Sequence, residues 1–345
     1  MTVKPLKAVV FGCEGLELTD AEAAFFNQER PVGLILFQRN CDNPKQIKCL
    51  VQKFNEQFDD YKPLIMIDQE GGRVQRLKPP HWRQAPPAAI FGALATAGGP
   101  AKRAVWLNAR LLAAELYDLG LNVDCAPCLD LRFPDTHAAI GNRAFSADPV
   151  LVAELGRAMA DGLLAGGILP MIKHIPGHGR SRVDSHHFLP VVEESLEDLV
   201  NYDFKPFQQL ADLPLGMTAH LLYRAIDPDC PGTQSAIVLL DIIRQKIGFD
   251  GLLFSDDLSM NALGGTIAQR AAKSLLAGCD IALHCNGAMD EMLDVADAVG
   301  MLSETAVSRL EVACAARPAP THVDLSSLQS ELDQIFEQYK LKIDR

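Results

Sequence analysis

The sequence is poor in positive charge and contains no long hydrophobic run. It has 32 Lys and Arg residues against 44 Asp and Glu residues, a formal net charge of −12. A protein that binds nucleic acid through its phosphates needs a basic surface, so the composition argues against that class. No stretch reaches the roughly 18 uncharged apolar residues that a membrane span requires. The first 20 residues also lack the pattern of a secretory signal. We therefore expect a soluble, cytoplasmic protein.

Paired cysteines and aromatic residues are also scarce. The nine cysteines are odd in number, scattered and mostly set in apolar runs, which is typical of reduced thiols rather than of a disulfide framework. Cys125 and Cys128 form a single CxxC without the second pair that a structural zinc site commonly uses. We interpret both as ordinary buried residues at a strand end. Aromatic residues make up only 6% of the chain, so no stacking platform for a ligand can be named from the sequence.

Eight short apolar runs alternate with longer helical patterns. Runs of this length, several of them bounded by Gly or Pro, are typical of buried parallel strands. They are Ala8–Glu14, Val32–Phe37, Leu64–Asp68, Leu121–Pro127, Ile168–Ile175, Leu215–Ala219, Gly251–Ser255 and Asp280–Cys285. The alternation predicts an α/β protein with a single (β/α)₈ TIM-type barrel. A doubly wound sheet is the alternative, but neither GxGxxG after a strand nor GxxxxGK is present.

Helices are predicted between the strands and after the last one. Capping residues, the apolar period of 3.6 and helix-ending glycines define them. The predicted helices run from about Thr19 to Arg30, then over Lys45–Phe58, Gly99–Leu119, 148–167, Ser195–Ala211, Ser235–Ile247, Ile267–Ala277, Ala288–Leu302 and Leu325–Leu341. We assign residues 1–316 to a catalytic barrel. Residues 317–345 are expected to form a linker and a C-terminal helix that packs on the barrel.

Polar and ionisable residues follow four of the predicted strands. The segments are Asp68–Arg76 after the third strand, Lys173–His187 after the fifth, His220 after the sixth and Asp256–Asp257 after the seventh. In such a barrel the active site lies at the carboxyl ends of the strands. The pattern therefore predicts a functional site at that face.

The segment after the fifth strand holds four of the nine histidines, His174, His178, His186 and His187. Its glycines permit a loop that closes over a site. Asp184 lies two residues before His186, and in a turn its carboxylate can bond to the imidazole and raise its basicity. That pairing is suited to acid–base catalysis. The alternative is a polar surface loop without a role.

The carboxylates at the other strand ends leave two readings open. One of Asp256 and Asp257 is a candidate nucleophile or metal ligand and the other a helix cap, or both are caps. Asp68 is suited to accept two hydroxyl hydrogen bonds from a sugar, with Arg76, Arg143 and Lys173 as further donors. Alternatively, these four residues form salt bridges that hold the loops.

Five stretches of the chain, in order, resemble family 3 glycoside hydrolases, and specifically the bacterial β-N-acetylglucosaminidases of peptidoglycan recycling. The stretches are Ile67–Arg76, Gly141–Phe145, Lys173–Pro190, Met217–His220 and Gly248–Met260. The run from Lys173 that contains Pro-Gly-His-Gly and then Asp-Ser-His is highly specific. The fold of this family, a (β/α)₈ barrel, agrees with the strand count.

The resemblance implies roles for individual residues. Asp256 is implied to be the nucleophile, and His186, paired with Asp184, the general acid/base of a retaining mechanism. The residues implied to hold the N-acetylglucosamine unit are Asp68, Arg76, Arg143, Lys173 and His174. The implied substrates are muropeptides with a terminal β-linked N-acetylglucosamine. No metal or other cofactor is implied, and we expect a monomer.

Two other functions remain as alternatives. A metal-dependent barrel hydrolase would use the histidines as ligands, but the first strand ends without the His-x-His pair expected of it. A non-catalytic sugar-binding barrel would bind ligand without turnover, and would leave the position of Asp256 beside a histidine loop unexplained.

Overall fold

Eight parallel strands form a closed barrel in the computed structural model, which describes residues 4–185 and 188–341. The strands are β1 (Lys7–Phe11), β2 (Pro31–Leu36), β3 (Leu64–Ile67), β4 (Val123–Asp124), β5 (Leu169–Ile175), β6 (Leu215–Thr218), β7 (Leu252–Asp257) and β8 (Ile281–His284). Each strand pairs with its neighbours in the chain, and β8 pairs with β1 to close the barrel, with Val9 opposite Ala282. Each strand overlaps one of the eight predicted runs, which confirms the predicted TIM-type fold.

Helices surround the barrel. Their bounds are Asp20–Glu29, Pro44–Asn55, Ala88–Thr96, Ala101–Asp118, Pro149–Ala165, Leu196–Asn201, Lys205–Gln209, the π-helix Ile237–Ile247, Ile267–Ala277, Met289–Ala298, Glu304–Ala315 and Leu325–Gln338. The first begins in a capping box, in which Thr19 Oγ1 accepts from the amide of Glu22 and the Glu22 carboxylate accepts from the amide of Thr19. Pro44 starts the second at the position where a helix needs no N–H donor.

Some predicted elements differ from the observed ones. The predicted helix Ser195–Ala211 is two short helices, because Pro206 lacks the N–H that a continuous helix would need. Strand β4 is shorter than predicted, and past Pro127, which has no amide hydrogen for the sheet, only an isolated bridge joins Cys128 to Lys173. Helices Ala88–Thr96 and Glu304–Ala315 were not predicted. Two small two-stranded sheets outside the barrel were also not predicted, Gln69–Gly71 with Val74–Gln75 and Val191–Val192 with Leu222–Tyr223.

The core has two parts. One cluster fills the barrel interior with alternate strand residues such as Val10, Met66 and Met171, and helix Glu304–Ala315 adds Leu310 to it. The larger cluster lies between the barrel and the helices. Gly33 allows β2 and β3 to approach, since a Cβ there would lie 2.2 Å from the carbonyl oxygen of Leu64. A filled interior leaves the open end of the barrel as the place for a site.

The helix Leu325–Gln338 packs on the outside of the barrel. Its buried residues are Leu332, Ile335 and Phe336, and the Phe336 ring lies 5.9 Å from that of Phe91. The division at residue 316 stays a prediction. Within residues 4–185 and 188–341, no helix has both the length and the apolar character needed to cross a membrane.

Candidate active site

A cavity of about 280 Å³ opens at the carboxyl ends of the strands. Seven of the eight predicted site residues line it: Asp68, Arg76, Arg143, Lys173, His174, Asp184 and Asp256. The eighth, His186, lies outside the described residues. The structure thus brings together side chains from segments that are up to 188 residues apart in the chain, between Asp68 and Asp256.

An ion-pair network forms one wall of this cavity. Asp68 accepts from Arg76 Nη2 at 2.9 Å and from Lys173 Nζ at 2.7 Å. Glu70 binds the Arg143 guanidinium through both carboxylate oxygens, at 2.8 and 2.9 Å, and lies 2.6 Å from Lys173 Nζ. The two readings left open by the sequence therefore coincide, because these residues are ion-paired and also face the cavity.

The network keeps all of its members charged. Burial acts to raise the pKa of Asp68 and Glu70, but the surrounding cations outweigh it and hold both pKa values below the usual range. Burial acts to lower the pKa of Lys173, but Asp68 and Glu70 raise it above its ordinary value. A fixed row of donors and acceptors of this kind suits a ligand rich in hydroxyl groups.

Asp256 and Asp257 end β7 with different surroundings. Both residues line the cavity, and the amide of Asp257 donates at 2.8 Å to Oδ1 of Asp256. Burial acts to raise its pKa, but His174, His220, that amide and Lys173 outweigh burial and leave the pKa below its usual value. Asp257 Oδ1 instead accepts from the amides of Ser259 and Cys285 and so organises the following turn. The carboxylate of Asp256 is thus kept ionised at the cavity, while one carboxylate oxygen of Asp257 is engaged in the turn.

Asp130, which follows β4, contacts one histidine at the end of β5 and one directly after it. His174 Nδ1 lies 2.7 Å from Asp130 Oδ2, and the amide of His178 donates to Oδ1 at 2.6 Å. Burial lowers the pKa of His178 to about 4, and its Nε2 bonds to Ser185 Oγ at 3.0 Å. Asp130 and Glu70 were not predicted as site residues. Both lie close after a strand, like the residues that were identified, but nothing in the sequence shows which cations they contact.

The start of the loop that carries Asp184 is closely packed. Gly179 lies where a Cβ would be 2.2 Å from the carbonyl oxygen of Leu131. Arg180 stacks over the Phe133 ring, 3.6 Å from its centroid, and pairs with Asp203 at 3.1 Å. These contacts fix the loop on the β4 side of the cavity, and Asp184 reaches the cavity from there.

Comparisons with known proteins agree on one family. The model of the N-terminal domain of glycosyl hydrolase family 3 matches residues 3–315. A protein named beta-hexosaminidase from Chromobacterium violaceum is 40% identical over 286 residues, which cover 82% of this chain and 79% of the relative.

Two solved structures of NagZ from Neisseria gonorrhoeae superpose on most of the chain. The one in complex with N-trifluoroacetyl-D-glucosamine has a TM-score of 0.86 at 32% identity and covers 97% of this chain and 98% of that one. The one in complex with zinc ion has a TM-score of 0.85 at 31% identity with the same coverage.

Proposed function

The chain belongs to family 3 of the glycosyl hydrolases, and from that premise we propose that it removes non-reducing terminal β-linked N-acetylglucosamine by a retaining mechanism. The general activity, that of a glycoside hydrolase of the β-hexosaminidase type, follows from the family and its relatives. The observation that supports the specific reaction is that Asp256 and the ion-pair network around Lys173 line the same cavity.

The sugar would bind to the charged wall. In the proposal, Asp68, Arg143, Lys173 and His174 hold the hydroxyl and acetamido groups, and Arg76 holds Asp68 in place through its 2.9 Å ion pair. Pre-paired charges lose little further freedom when the sugar binds, which favours precise orientation. The relative solved with N-trifluoroacetyl-D-glucosamine supports the sugar type.

Asp256 is the proposed nucleophile. Its carboxylate oxygen forms a bond to the anomeric carbon while the glycosidic C–O bond breaks and the leaving oxygen takes a proton. Its lowered pKa keeps it ionised for that attack. Water then displaces the carboxylate from the sugar and restores the free enzyme.

The proton would come from the Asp184–His186 pair. An imidazole has a pKa near neutrality, so one group can protonate the leaving oxygen and then take a proton from water. In its neutral form it also places no second anion beside Asp256. Asp184 lines the cavity, as this role requires.

We propose muropeptides as the natural substrates, on the resemblance to enzymes of peptidoglycan recycling, and a monomer in the cytoplasm as the working form. Arg73 lines the cavity and is exposed, so a carboxylate on the aglycone could pair with it. In this proposal the sugar unit and the aglycone therefore bind to different parts of the same cavity.

The metal-dependent alternative has one candidate ligand set among the described residues. Cys128, Asp130 and His174 have ligand atoms within 4.8 Å of one another. All three are buried, and Asp130 already accepts from Cys128 Sγ and lies 2.7 Å from His174 Nδ1. A catalytic zinc needs an open position for water, so the set does not fit a metal that activates water.

The proposal is tested by hydrolysis of p-nitrophenyl N-acetyl-β-glucosaminide in excess EDTA. Wild type should turn over, Asp256→Ala should lose activity by at least about 10³-fold, and His186→Ala should be strongly reduced. Asp241→Asn, an exposed aspartate, is the control and should match wild type. Binding of the substrate without turnover by folded wild type would favour the sugar-binding alternative, and loss of turnover only with EDTA would favour the metal one.

A further inference from the structure

Asp130 lies behind the cavity wall and makes four contacts there. It is fully buried and does not line the cavity. Oδ2 accepts from Cys128 Sγ at 3.2 Å and lies 2.7 Å from His174 Nδ1. Oδ1 accepts from the backbone amides of His178 at 2.6 Å and His174 at 3.4 Å. Both carboxylate oxygens of Asp130 therefore already have hydrogen-bond partners.

These contacts fix the proton on His174. Burial acts to raise the pKa of Asp130, but His174 and His178 outweigh it and hold the pKa below the usual range, so the group is a carboxylate. A carboxylate only accepts hydrogen bonds, and the hydrogen between Asp130 and His174 therefore belongs to Nδ1.

The other ring nitrogen faces a cation. His174 Nε2 lies 3.4 Å from Arg143 Nη2, and a guanidinium only donates. A hydrogen on Nε2 would point at that donor, whereas a lone pair is compatible with it.

We propose that Asp130 is a positioning residue that holds His174 as the Nδ1–H tautomer. Nε2 then carries no hydrogen, and its lone pair, which faces Arg143 at 3.4 Å without ligand, accepts from a sugar hydroxyl when the sugar is bound. The inference rests on the proposed function for the identity of the ligand. It specifies that the sugar group opposite His174 is a hydrogen-bond donor, and it gives the buried Cys128–Asp130 pair a role in binding without contact with the sugar.

Asp130→Asn tests this with little change of shape. The two backbone amides at the Oδ1 position require an acceptor, so the amide oxygen stays there and the NH₂ group faces His174 Nδ1. Facing a donor, Nδ1 must become the acceptor and the hydrogen must move to Nε2. We expect kcat/KM to fall roughly 10- to 100-fold, with most of the loss in KM, because a sugar hydroxyl would then meet a donor.

The direct readout is ¹⁵N NMR of histidine-labelled protein, with the His174 signals assigned by their loss in His174→Gln. Wild type should show Nδ1 protonated and Nε2 unprotonated at neutral pH, and Asp130→Asn the reverse. Asp227→Asn is the matched control, a buried aspartate that accepts from Ser235 Oγ and two amides away from the cavity. It should change neither the His174 signals nor kcat/KM.

An Nε2–H or doubly protonated His174 in wild type would overturn the inference, and so would Asp130→Asn with unchanged tautomer and KM. If Asp130→Asn does not fold, the wild-type spectrum decides alone. Absence of turnover in wild type would count against the proposed function and would leave the tautomer measurement standing, so the two failures are distinguishable.

Discussion

At the scale of single residues, Glu70 holds two of the cations that face the cavity. It binds Arg143 through both oxygens and pairs with Lys173. Glu70→Gln would keep the shape of the side chain but would remove one acceptor oxygen and the negative charge. Because bidentate pairing orients the guanidinium, we expect KM for the p-nitrophenyl substrate to rise roughly tenfold with a smaller change in kcat. Steady-state kinetics measure the split.

The control for this prediction is Glu22→Gln. Glu22 is also a buried glutamate that accepts several hydrogen bonds, but it belongs to the capping box of the first helix. It should lower the unfolding free energy and leave KM unchanged. Equal KM values for Glu70→Gln and wild type would show that Arg143 and Lys173 need no orienting anion.

Several residues that touch the cavity could be predicted from the sequence, because they lie at or directly after the carboxyl ends of strands, which must meet. Asp68, Lys173 and Asp256 are of this kind. Glu70 and Asp130 act through other side chains, and their function depends on distances across the barrel that no local pattern encodes. The same holds for the turn that Asp257 organises, which supports the proposed choice of Asp256 as nucleophile.

At the scale of elements, the C-terminal helix Leu325–Gln338 carries a prediction of stability. Phe336 is buried against Phe91, and Phe336→Ala should cost about 3–5 kcal/mol through lost burial and the cavity left behind. Because the helix lies on the outside of the barrel, kcat/KM at 25 °C should not change. Urea unfolding gives the free energy, and Gln334→Ala on the exposed face of the same helix is the control. A loss of activity at unchanged stability would instead link this helix to the site.

Elements with a strong local signal were predicted and those without one were missed. Thr19 and Asn43-Pro44 mark helix starts that the structure confirms. Helix Ala88–Thr96 is apolar all round and starts after a proline without a side-chain cap, so neither periodicity nor capping indicates it. The small sheets near Gln69 and Val191 are two or three residues long, too short for a period of two to be visible.

At the scale of the whole molecule, eight strand–helix repeats suffice to predict the barrel, because parallel strands joined by helices have few ways to bury both faces. Barrel closure also explains why ionisable groups gather at the open end of the barrel, since the carboxyl ends of all the strands converge there. The stability of the fold must therefore depend on pH through groups inside the barrel.

Between pH 4 and pH 7, buried ionisable groups change the unfolding free energy in opposite directions. Burial raises the pKa of Asp124 from 3.8 to about 7 and that of Asp203 to about 6. Folding is then less favourable as pH rises through this range, because the unfolded carboxyls ionise first. Burial lowers the pKa of His178 from 6.5 to about 4, and this base makes folding more favourable as pH rises over nearly the same range. Because the two carboxyls together outweigh the one histidine, the wild-type unfolding free energy should fall between pH 4 and pH 7.

Asp124→Asn should remove the contribution of one buried carboxyl to the pH dependence of the unfolding free energy. The asparagine oxygen can still accept from the amide of Gln69, and no buried charge forms at high pH. The unfolding free energy of the variant, relative to wild type, should increase from pH 5 to pH 8 by a few kcal/mol, since one pKa unit corresponds to about 1.4 kcal/mol. Urea unfolding at pH 5, 6, 7 and 8 measures the difference, with the exposed Asp241→Asn expected to follow wild type at every pH. Parallel curves for Asp124→Asn and wild type would mean that burial does not raise the pKa of Asp124, because Lys173 offsets its effect.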